Sequence, residues 1–294
     1  MRIIATSLRR LHARPAVSEH ACCDGVAGGL RTMDVTWTSG LTGFAAGLML
    51  AAVTTPVGVS GAVFLLPVQL SVLHVPSPAV TPTNLLFNVV SGPGALLRYA
   101  RSGQLRSPLA RQLIVGTVPG VICGAVLRVF VFSGGQAFRL IAAAVLLPLG
   151  AWLCMRTLFA QSMMPQREWP AARVTGLAMC IGVVGGIYGI GGGSILGPIL
   201  VGRGQPVAVV APAALASTFA ASIVGALTYA ALAFVKHGDI APNWPLGLLC
   251  GAGGLIGGYL GARLQPLVPE TVLRLLLGLT AIAVGACYIV QAVT

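Results

Sequence analysis

"GIYGIGGGSILGP" occupies residues 186–198 and sets Gly186, Gly189, Gly191, Gly192, Gly193 and Gly197 in a strongly apolar stretch that closes on Pro198. Glycine is a poor helix former because it loses the most backbone freedom on ordering. Within a bilayer an unpaired N–H or C=O costs roughly several kcal/mol, so non-helical backbone is tolerated only where protein or a polar cavity surrounds it. Three consecutive glycines, Gly191 to Gly193, exceed what close helix packing needs. The stretch therefore predicts a broken helix, with Ser194 placed to cap a helix restarting toward Pro198. Such an N-terminus offers N–H groups and a positive dipole end to an anion without a buried cationic side chain.

The surroundings are membrane-like. Of 294 residues 56% are hydrophobic and 8% charged, with a mean hydropathy of +0.91, outside the usual range of soluble domains. Apolar runs recur near 40–73, 80–100, 108–131, 138–156, 172–190, 206–235, 245–264 and 271–291, each able to contribute to crossing a core about 30 Å thick. The expected class is an all-α integral membrane protein, multi-pass in the cell membrane, with about eight transmembrane elements and lipid as its surroundings. A bacterial inner membrane is the expected location.

Lys and Arg total 18 against 6 Asp and Glu. Arg98, Arg101, Arg106, Arg111, Arg156, Arg167 and Arg173 fall between apolar runs, where they orient loops toward the cytoplasm, and both termini are expected there too. No basic stretch is interleaved with exposed aromatics, which disfavours nucleic acid. The cysteines, Cys22, Cys23, Cys123, Cys154, Cys180, Cys250 and Cys287, form an odd set without CxxC or His at metal spacing. Neither a disulfide framework nor a metal site is expected, and no cofactor.

Internal similarity organises the chain. "GVSGAVFLLP" at 58–67 matches "GIGGGSILGP" at 189–198, and "RLIAAAVLLPLG" at 139–150 matches "RLLLGLTAIAVG" at 274–285. The expected organisation is a flexible tail at 1–37, a first membrane repeat of four elements at 38–160, a linker at 161–171 and a second repeat at 172–294. Four full crossings per repeat make the repeats parallel; a re-entrant hairpin at the start of each makes them inverted. Met33, just ahead of the first apolar run, is an alternative to Met1 as the start.

Both repeats offer the same polar furniture. In the first, "TTPVGVSG" at 54–61 interrupts the helix at Pro56 and Gly58, and Ser60 with Gly61 is placed to begin the next one. After each break comes a polar stripe at helical spacing: Thr81, Asn84, Asn88 and Ser91, then Thr218, Ser222, Gly225 and Tyr229. Glycine spacings such as Gly116, Gly120 and Gly124, or Gly254 and Gly258, read instead as helix packing. The candidate anion-binding set is Ser60, Gly61, Asn84, Asn88, Ser91, Tyr188, Gly191, Gly192, Gly193, Ser194, Ser217, Thr218 and Ser222, with Tyr188 placed to close the site. An intramembrane enzyme would need a catalytic cluster, and the spans hold none. A non-transporting scaffold gives no reason for paired breaks beside polar stripes.

"GIGGGSILGP", "SIVGALTY" at 222–229, "HGDI" at 237–240 and "GGLIGGYLGARL" at 253–264 resemble the sulfite exporter TauE/SafE family over residues 38–292. The first repeat departs from it in reading "GVSGA", and "ALAST" at 214–218 replaces the more usual Gly-Thr-Ser. The resemblance implies a membrane transporter, not an enzyme, moving a small anion: sulfite, a sulfonate or another organosulfur oxyanion. Asp239 and Glu270 near span ends and His74 and His237 near loops leave energy coupling open, and a homo-oligomer is compatible with the sequence.

Overall fold

In the computed structural model, the described residues are 37–105, 107–131, 169–235 and 241–293, with scattered positions between 140 and 158. The tail at 1–36, most of the expected linker and the HGDI loop lie outside them, and the expected span at 138–156 is described only at scattered positions. Among the described residues the chain is helical, and Asp34–Thr294 packs as one unit. Helix α1 (Trp37–Thr54) runs into a 3-10 turn (Thr55–Val57), followed by the short α2 (Ala62–Ser71), α3 (Ser77–Arg101) and α4 (Pro108–Phe130). Then come α5 (Ala171–Tyr188), the short α6 (Gly193–Gly202), α7 (Val207–Val235), α8 (Trp244–Leu264) and α9 (Glu270–Val293).

Six of these helices, α1, α4, α5, α7, α8 and α9, are long and apolar enough to cross a membrane. Helix α3 has the length, at 25 residues, but its polar face lowers its hydropathy. At 10 residues each, α2 and α6 are too short to span alone. Both breaks expected from sequence are present, at 55–61 and 189–192.

Glycine contacts fix the directions of the helices. Gly116, Gly120 and Gly124 of α4 abut Ala178, Gly182 and Gly186 of α5 in the same order, so these two run parallel and touch backbone to backbone. Leu86, Val90 and Gly94 of α3 meet Gly247, Gly251 and Leu255 of α8, while Phe44, Leu48 and Ala52 of α1 meet Gly253, Gly257 and Gly261. Thus α1, α3 and α8 share one direction. Helix α7 opposes them, since Gly92 lies on Phe219 and Leu85 on Gly225. Only a short link separates Arg101 from Pro108, so α4 starts on the face where α3 ends and α5 runs opposite to α1.

Arg98 and Arg101 end α3, Arg111 and Arg173 open α4 and α5, Arg203 follows α6, and Arg263 ends α8. All therefore lie on one face of the helix bundle. Trp37 and Trp244 begin their helices on the other face, where exposed Trp anchors a membrane boundary. The expectation put both ends on the arginine-bearing side; in the described unit α1 starts and α9 finishes on the face opposite the arginines. The cause is that each break sends the chain back toward the face it came from.

Candidate functional site

The two breaks meet each other. The backbone N–H of Ser60, in the first, donates to Ser194 Oγ, in the second, at 3.1 Å. Ser60 Oγ–H donates to Asn88 Oδ1 on α3, and the same oxygen accepts the Ala62 N–H at 3.2 Å, closing the start of α2. Asn88 Nδ2 in turn donates to Gly189 O at 3.5 Å, so one side chain of α3 ties both breaks together. One turn earlier Asn84 Nδ2 donates to Ala62 O at 2.9 Å, and Thr81 Oγ1–H reaches Ile187 O at 3.4 Å. The polar stripe of α3 therefore faces inward, along the seam between the breaks.

Gly189, Gly191 and Gly192 all have positive φ, near +71° to +74°, a region open to glycine and strained for other residues. A Cβ on Gly191 would stand 2.8 Å from the Thr218 carbonyl and 2.9 Å from Ser222 Oγ, and one on Gly193 would strike the backbone of Ala214. The run is glycine because it turns sharply while pressed against the polar face of α7. Local turns take up several N–H groups: Gly193 N–H to Gly191 O at 2.9 Å, and Ile195 and Leu196 N–H to Gly192 O at 3.1 and 3.3 Å. Ser194 does not cap α6, as its position had suggested. Gly192 stands at the cap, and Ser194, the second residue of the helix, donates to Ile190 O at 3.4 Å while accepting from Ser60.

Ser60, Gly61, Asn88, Ser91 and Thr218 line one cavity of about 20 Å³, with Thr55, Ala95, Leu215, Gly254 and Gly258 around it. It lies beside the second half of α3 and the first half of α7, on the arginine-face side of the middle of these helices. That volume holds about one water molecule, so an oxyanion enters only when the surrounding elements part. Asn84, Tyr188, Gly191, Gly192, Gly193, Ser194, Ser217 and Ser222 do not line it. Ser217 bonds Thr117 of α4 at 2.9 Å; because Thr117 gives its own proton to Leu113 O, Ser217 is the donor. Gly254 and Gly258, read from sequence as packing glycines, also border the cavity.

Asn84 Oδ1, Thr218 Oγ1 and Ser222 Oγ are buried without a hydrogen-bond partner. Buried hydroxyls and amides are normally paired, so three such atoms along one seam mark an incompletely satisfied polar track. Two further buried side chains fall outside the expected set. Gln69 of α2 has both amide atoms unpartnered, and Arg128, in the last turn of α4, lies 4% exposed near Tyr188 and Tyr229. Both were visible in the sequence as polar residues inside apolar runs, "LLPVQLSVL" and "GAVLRVFVF". Among the described residues no group of His, Cys, Asp and Glu is arranged to hold a metal.

Helices interrupted inside a multi-pass membrane protein, crossed at their breaks and flanked by a polar track, define a class of transport proteins that bind their cargo near the middle of the bilayer. The chain belongs to the sulfite exporter TauE/SafE family, whose model matches residues 42–288. That is a family of membrane transporters of sulfur anions. No curated protein and no solved structure matches the chain.

Proposed function

We propose that the protein carries a small sulfur oxyanion, sulfite or a simple sulfonate, by alternating access around the crossing of the two breaks. The observation that carries this reading is the Ser60 N–H to Ser194 Oγ bond at 3.1 Å, flanked by the unpartnered Thr218 and Ser222 hydroxyls. In the conformation described, Ser60 and Ser194 satisfy one another and the cavity has room for about one water. An arriving oxyanion would replace the internal pair, taking the Ser60 N–H, the Ser194 hydroxyl and the hydroxyls of Thr218 and Ser222 as neutral donors. A cage of this kind binds without the permanent ion pair that would slow release.

Asn84 Oδ1 is an acceptor, and an acceptor in an anion site suits a cargo carrying a proton of its own. Hydrogen sulfite has one, and its single charge lowers the desolvation penalty relative to the dianion. Proton and anion would then move together, with no intramembrane carboxylate needed to couple them.

The opposed directions of α1 and α5 support an inverted pair of repeats, α1 to α3 against α5 to α7, joined through the linker at 161–171. The two breaks would be equivalent halves of one site. Sulfite flux into proteoliposomes, with sulfate and methanesulfonate as competitors, tests the reading. Saturable flux inhibited by the sulfonate and abolished in Gly192→Leu is the expected result; absence of flux from folded, reconstituted protein would overturn it.

A further inference from the structure

A second cavity, of about 310 Å³ against about 20 Å³ for the one at the crossing, opens on the arginine-bearing face between α4, α5, α6 and α7. Ser107 and Leu109 line it from the start of α4, Trp169 from the entry to α5, and Gln205 and Val209 from the start of α7. The buried Leu200 of α6 joins them, and Arg203, just past the end of that helix, is the charged residue of the lining. Three helices start here and one ends, so the positive ends of their dipoles reinforce the arginine. Arg111 and Arg173 stand within a turn of the lining residues of α4 and α5, and the described parts of α4 to α7 contain no Asp or Glu. The cavity is therefore positive and has no carboxylate of its own to answer it.

Arg203 is also held in place. Its guanidinium carbon lies 4.1 Å from the centre of the Trp169 ring. A stacked guanidinium gives up little of its reach, because its N–H donors point outward in its own plane. Ser107 Oγ accepts the Leu109 N–H at 3.2 Å and keeps its own proton to donate. Around these polar groups the lining is apolar, with Leu109, Leu200 and the exposed Val209 set where the spans α4 and α7 begin. A free sulfite ion has no apolar part to place there. Nor is the charge common to the two breaks: the sequence match of 58–67 to 189–198, carried on five residues, sets Val72 opposite Arg203.

We infer that this cavity binds the headgroup phosphate of an anionic phospholipid, with Arg203 over Trp169 as the cation, Ser107 and Gln205 as neutral donors, and the glycerol and first acyl carbons along Leu109 and Val209. Basic pockets between membrane helices take anionic headgroups in this way. The choline of a zwitterionic lipid would meet Arg203, Arg111 and Arg173 and no carboxylate. Helix α6 runs from the glycine break at Gly193 to Gly202, beside Arg203. A lipid bound at Arg203 thus fastens the outer end of the helix whose inner end forms the crossing, and stabilises that arrangement whether or not the protein moves sulfite.

Thermal unfolding of the full chain in neutral detergent tests this, titrated with phosphatidylglycerol or with phosphatidylcholine of the same acyl chains. The proteins compared are the native chain, Arg203→Gln, and Val209→Trp, which narrows the cavity and leaves the charge. In the native protein phosphatidylglycerol is expected to raise the unfolding temperature at a concentration about fivefold or more below that of phosphatidylcholine, and each variant to raise its half-saturating concentration about fivefold or more. No shift, or an equal shift with the two lipids, would overturn the inference. So would either folded variant that keeps the native half-saturating concentration; should one variant fail to fold, the other decides. Inorganic phosphate or sulfite that gives the same stabilisation without lipid, and loses it in Arg203→Gln, would assign the cavity to a soluble anion and overturn the lipid site as well.

Discussion

The two breaks solve the same problem by different chemistry. At 55–61 one glycine, Gly58, takes a positive φ, and side chains satisfy the loosened backbone: Tyr99 OH donates to Thr55 O at 3.4 Å, Gln265 Nε2 to Pro56 O at 2.8 Å, and Ser60 closes the start of α2. At 189–193 three glycines take positive φ, and the backbone largely satisfies itself in tight turns against α7. Both breaks draw on side chains and on tight backbone turns, but only the second needs a run of positive-φ glycines pressed against α7. The hydroxyls facing the second break, on Thr218 and Ser222, are left without partners. A ligand is better accommodated where the protein has not already used its groups.

The sharpest way to break this contrast is at the second site. Gly191→Ala combines a strained φ with collision against the Thr218 backbone, and should cost about 3 kcal/mol or more; loss of folded protein by size-exclusion in detergent checks it. A well-folded Gly191→Ala would mean that the glycine run is not conformationally required. Next comes the link between the breaks. Ser194→Ala leaves the buried Ser60 N–H without its acceptor and should destabilise by about 1–3 kcal/mol, read as a lowered thermal midpoint. Were the midpoint unchanged, the two breaks would be independent. The smallest effect is expected at Gly103 in the turn after α3, where φ is +74° but no atom would meet a Cβ within 4 Å. Gly103→Ala should cost about 1 kcal/mol and leave flux intact, separating conformational strain from strain at a packed site.

Much of this was legible in the residues. Period-3.6 recurrence of Thr81, Asn84, Asn88 and Ser91 put one polar face on α3, and that face does turn toward the breaks. Glycines at three- and four-residue steps announced backbone contact between α4 and α5. Direction was not legible, because hydropathy reports that a segment is apolar and not which way it runs. The short helices α2 and α6, each with an internal proline, are disguised within longer apolar runs, and so the faces on which α1 starts and α9 finishes are not legible. The Ser60 to Ser194 bond spans 134 positions and has no local signature. Arg128 was visible but blended with the loop arginines until the helix directions set it apart.

The central claim is that unpartnered hydroxyls on α7 complete their hydrogen bonding with the transported anion. Thr218→Val with Ser222→Ala removes two buried groups that have no partner in the closed state, so stability should hold or rise by about 1 kcal/mol. The decisive measurement is the KM for sulfite in proteoliposomes containing this double variant. A KM raised about tenfold or more in protein of undiminished stability is the result expected of a binding site, whereas native flux at native KM would contradict the account.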